Sequence, residues 1–89
     1  MEKSKNKWIN LQELSVVKTP DIGVSTALLC ADFELLSVEK VNPRKAVFVF
    51  KKDTGIEDVI GRYLSDELEV NARSFYDNFK IIKNKLYAV

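Results

Sequence analysis

Apolar positions recur along this chain with two different periods. Ile56, Val59, Ile60, Tyr63 and Leu64 share one face of a helix within "DTGIEDVIGRYLSDE". Thr54 and Glu57, with Asp53 adjacent, have the spacing of a capping box that would start it. An earlier stretch, "TPDIGVSTALLCADF", places Val24, Ala27, Leu28 and Ala31 on a helical stripe. There Thr19 is the expected N-cap, Pro20 suits the first helical position, and Asp21 complements the positive end of the helix. Between these helices "FELLSVEKV" and "KAVFVFKK" read as strands joined by "NPRK". Asn42 and Pro43 fit the start of a type I turn, which predicts an antiparallel hairpin over about 33–52. Val47, Phe48, Val49 and Phe50 are consecutive apolar residues. The second strand is therefore expected at the centre of a sheet, with both faces at least partly covered.

The ends of the chain are less regular. "MEKSKNK" is polar and predicts a partly disordered extension over 1–13. Asn10 with Glu13, and Ile9 with Leu14, allow a short helix after "WIN", whereas Val16 and Val17 favour extended chain. The expectation is a turn of helix or a loop, then a strand over about 14–18. "LEV" at 68–70 reads as an extended link or a further short strand. Asn71 then caps a last helix, with Val70 placed to staple onto Phe75. Together the signals predict one small α+β domain over 14–89, an antiparallel hairpin-based sheet packed against about three helices in the order β-α-β-β-α-α.

The last helix poses the functional question. On a helical projection Ala72, Phe75, Tyr76, Phe79, Ile82 and Leu86 share a stripe. Arg73, Lys80, Lys83 and Lys85 fall on the flanks and back, with Asp77 between Arg73 and Lys80. This pattern predicts rings packed inward against the sheet and lysines left to solvent. Rings exposed beside Arg73 or Lys83 would instead point to stacking on nucleic-acid bases.

Composition narrows the chemistry. Hydrophobic residues make up 46% of the 89 positions, enough for a core without a metal or disulfide framework. The single cysteine, Cys30, sits in an apolar run and is expected to be a buried packing residue in a reducing compartment. The chain has no histidine, so the commonest neutral-pH base and zinc ligand are both missing. No nucleotide-binding loop is present, and acid pairs such as Glu57/Asp58 have the look of solvated charges. An enzyme, a cofactor and a bound metal are therefore not expected. No apolar run has the length of a signal peptide core or a membrane span, which suggests a cytoplasmic protein without a membrane partner.

The 14 basic and 13 acidic residues leave a net charge of +1, too little for overall attraction to nucleic acid. Their distribution is uneven: residues 54–70 carry five acids against Arg62, and residues 71–89 carry four cations against Asp77. Two readings follow. The first is a small non-enzymatic interaction or assembly module that self-associates as a homodimer or binds a protein partner. The second is a nucleic-acid-binding accessory protein that uses the hairpin tip and the last helix. Its candidate contacts are Arg44, Lys45, Lys52, Arg73, Lys80 and Lys83. The second reading gains if tip and helix lie on one side.

The order of motifs also resembles a family of small bacterial and phage or mobile-element proteins, a domain of unknown function. The resemblance runs from Thr19 and Asp21 through "STALLCADF" to Leu35, Leu36, Val38 and Glu39. It continues with Phe48 and Phe50, then "VNAR" at 70–73 with Phe75, and ends on Lys83, Leu86 and Tyr87. It spans residues 18–87. The chain departs from the pattern by having Asp32 where a glycine closes the first helix, and by the added "WINLQEL". The resemblance implies no activity, but it does imply an accessory protein of a phage or mobile element.

Overall fold

A computed structural model describes residues 15–89. The expected extension over 1–13, with its Asn10/Glu13 cap, lies outside the described residues. Strand β1 (Val16–Thr19) leads into helix α1 (Ile22–Cys30), followed by β2 (Leu35–Asn42), β3 (Lys45–Lys51), α2 (Ile56–Leu64) and α3 (Ala72–Tyr87). The expected order and α+β class hold. The sheet order is β1-β3-β2, antiparallel throughout, so the apolar strand is central. Residues 68–70 form a link and not a strand.

Phe48 and Phe50 explain why the domain closes around β3. Both are at most 1% exposed and lie on the same sheet face. Val24 and Leu28 from α1, Ile56 from α2 and Ile82 from α3 complete one buried cluster with them. On the opposite face Val49 is buried too. The Lys18–Glu39 ion pair runs from β1 to β2, Nζ to Oε1 3.4 Å, and so crosses the central strand that carries Val49.

The helix ends show which local signals decide. Helix α1 is capped by Asp21, whose Oδ1 accepts from the Val24 N–H at 3.0 Å, not by Thr19. Thr19 closes β1 and its hydroxyl accepts from the Asp21 N–H, so Pro20 stays outside the helix. At its other end Asp32 has φ 68°, the left-handed conformation that a glycine would supply most cheaply. The Asp32 and Phe33 N–H groups donate back to the Leu29 and Leu28 carbonyls, which completes a Schellman motif without glycine. Asp66 closes α2 in the same way.

The Thr54/Glu57 capping box does not form. Gly55, with φ 88°, is the N-cap of α2, and no side chain caps the helix. Thr54 is thereby one residue too early, and Glu57 pairs with Lys52 at 3.6 Å. Helix α3 does start as expected, with Asn71 Oδ1 accepting from the Ser74 N–H at 3.0 Å.

Gly23 of α1 lies against the Tyr63 side chain of α2. An added Cβ would overlap the Tyr63 hydroxyl and stand 2.8 Å from Tyr63 Cζ. A helical Gly→Ala change ordinarily stabilises by up to about 1 kcal/mol. Here overpacking reverses the sign, so Gly23→Ala should lower unfolding free energy by about 1–3 kcal/mol. In a Tyr63→Leu background the same change should be neutral or stabilising. Urea denaturation of the four proteins checks this; a Gly23→Ala protein more stable than the parent would refute it.

Candidate nucleic-acid interface

The hairpin tip is built by Asn42, whose side-chain oxygen accepts from the Arg44 N–H at 2.8 Å. Neither Pro43 nor Arg44 has positive φ, so the turn lacks the twist that suits a tight hairpin. A register shift between Lys40 and Asn42 absorbs the mismatch. The tip presents Arg44 and Lys45, with Lys40 one turn of the ladder back.

The end of α3 lies against this tip. Lys40, Arg44 and Lys45 share a groove of about 290 Å³ with Leu86, Tyr87 and Val89. Tyr87 also borders a second groove, of about 300 Å³, formed along α3 by Tyr76, Phe79, Lys80 and Lys83. One surface therefore runs from Tyr76 down the helix and onto the tip. The sequence leaves open whether tip and helix share a side; here Arg44 and Lys45 line one groove, Lys80 and Lys83 the next, and Tyr87 borders both.

Along that surface rings and cations alternate. Lys80 Nζ stands 4.8 Å from the Tyr76 ring centre. Lys83 Nζ lies between two rings, 5.7 Å from Phe79 and 5.4 Å from Tyr87. This corrects the inward-facing picture of α3. Tyr76 is 57% and Tyr87 71% exposed, Phe75 and Phe79 are half-buried, and Ile82 is the one α3 side chain fully inside. Ala72, also placed on the buried stripe, is exposed.

The reason lies in how α3 meets α1. Asn78 Nδ2 donates to Cys30 Sγ at 3.5 Å and to the Ser74 carbonyl at 3.0 Å, and the Ser74 hydroxyl reaches the same sulfur at 3.9 Å. Ser74 and Asn78 therefore face the neighbouring helix, and α3 is rotated away from the orientation that would bury its whole apolar stripe. Cys30 is half-buried beneath them, not fully buried.

Two of the six candidate cations do not belong to this surface. Lys52 lies just past the end of β3 opposite Arg44, about 26 Å away along extended chain, and pairs with Glu57. Arg73 lies at the start of α3 and pairs with Asp77 at 3.6 Å. Asp77 also holds Lys80 at 3.8 Å. Lys40, Arg44, Lys45, Lys83 and Lys85 have no acidic partner among the described residues. Lys40, a cation beside the tip, joins the surface, and so do Tyr76, Phe79 and Tyr87, which charge could not mark. The available signal was the four-residue spacing of Tyr76/Lys80, Phe79/Lys83 and Lys83/Tyr87.

Among the described residues no group of three His, Cys, Asp or Glu is placed to hold a metal ion. No described helix is long and apolar enough to cross a membrane. No curated protein and no solved structure matches the chain. A family described as Domain of unknown function (DUF5659) matches residues 15–88, from the start of the described fold to its last helix, and the chain belongs to that family.

Proposed function

We propose that the chain is a non-enzymatic nucleic-acid-binding accessory module that grips a phosphate backbone between the hairpin tip and α3. The supporting observation is the single surface on which Arg44, Lys45, Lys80 and Lys83 surround the exposed rings of Tyr76 and Tyr87. Of these cations Arg44, Lys45 and Lys83 have no acidic partner among the described residues, while Lys80 is held by Asp77. Cations that meet phosphate release its counterions, and this drives binding even when net charge is close to neutral. A cytoplasmic setting, and a place on a phage or other mobile element as the family resemblance suggests, suit this role. The test is fluorescence anisotropy with labelled single- and double-stranded oligonucleotides at stepped salt. Binding should weaken steeply with salt; no binding to any probe at low ionic strength would reject the reading.

Self-association is the second reading. Strand β2 is an edge strand, and Leu36 and Val41 are exposed on it. Register shifts near both ends of β2 work against edge-to-edge pairing, which ranks this reading below the first. Light scattering at high micromolar protein checks it. A dimer mass lost on Leu36→Lys would favour it, and a monomer mass throughout would remove it.

A further inference from the structure

We infer that the strand held on this surface is single, with unpaired bases stacked on Tyr76 and Tyr87 while Lys83 and Arg44 meet its phosphates. This deepens the nucleic-acid reading and rests on it. The argument starts from what covers the rings. Tyr76 and Tyr87 are mostly exposed, and the ammonium groups of Lys80 and Lys83 stand over their rings. A flexible lysine can move aside to a phosphate, which leaves a ring face open to another flat group. An exposed cation–π contact is weaker than stacking of a base on an aromatic side chain, so the exchange favours the complex.

Duplex cannot use these rings in the same way. Its base faces are already stacked, and it presents only phosphates and base edges to a protein. The rings here stand along one flank of a helix and not at a wedge that could open base steps. Tyr76 and Tyr87 are about 16 Å apart along the axis at 1.5 Å per residue. That length suits a short run of single strand, on the order of four nucleotides, the lower end of known single-strand site sizes. Lys83 lies between Phe79 and Tyr87, where the backbone linking successive bases would pass.

The test compares labelled oligothymidylate with a duplex of equal length, using the full chain and its Tyr76→Ala, Tyr87→Ala and Tyr87→Phe variants. The expected result is single strand bound at least about tenfold more tightly than duplex. Each alanine variant should weaken single-strand binding by about tenfold with the salt slope unchanged, whereas Tyr87→Phe keeps most of the affinity. Both tyrosines are exposed, and circular dichroism checks that the variants remain folded. Equal affinity for the two probes, or alanine variants that bind like the parent, would overturn stacking. The backbone grip would then survive as long as the salt dependence remains. Absence of binding to both probes would overturn the two proposals together.

Discussion

Phe50→Ala should lower the unfolding free energy of this domain by about 3–5 kcal/mol. Phe50 is fully buried on the central strand, where it pairs with Val17 on one side and Leu35 on the other. Its ring belongs to the cluster that joins all three helices to the sheet. Truncating a buried phenylalanine costs about 3–5 kcal/mol, because transfer energy is lost and the cavity collapses only partly. A domain of this size has a total stability of about 4–11 kcal/mol, so the loss consumes a large share of it. Urea denaturation followed by circular dichroism measures the effect. Tyr76→Ala, with an exposed ring, should stay within about 0.5 kcal/mol of the parent. A Phe50→Ala protein within 1 kcal/mol of the parent would mean that the core is not centred on β3.

The second large effect concerns binding. Arg44→Glu combined with Lys83→Glu should weaken oligonucleotide affinity by about 100-fold at low salt and lower the salt slope by about two. Lys51→Glu combined with Lys52→Glu changes net charge by the same amount. Those residues stand at the other end of β3, however, and Lys52 is already paired with Glu57. That control should lose only the small, salt-screened share of long-range attraction. The comparison separates a site from a charge: equal losses in the two double variants would leave net charge as the sole cause. All four residues have exposed or half-buried side chains, so both double variants should keep the fold.

Much of the architecture was legible because its signals are local or binary. Four consecutive apolar residues, Val47 to Phe50, can be satisfied only where both sheet faces are covered, and β3 is indeed central. Asn71 capped α3 as its spacing implied, since nothing nearby competed for the Ser74 N–H. Caps failed where a neighbour offered a better solution. Asp21 displaced Thr19 because it sits next to the first helical residue, and Gly55 moved the start of α2 past Thr54. Asp32 stood out as a missing glycine, and its left-handed φ shows that the backbone still makes the turn.

The chain's own residue order determined the element types, the central strand and the inventory of cations and rings. Only tertiary structure decided which way α3 faces. A broad apolar stripe containing tyrosines leaves a helix's rotation about its axis loosely defined, since an amphipathic ring is stable half in and half out of water. The observed rotation turns Ile82 into the core and Ser74 and Asn78 toward Cys30, 44 and 48 residues away, and no local pattern records a partner so distant. The same docking carried Tyr87 to the hairpin tip, turning two separate basic segments into one surface.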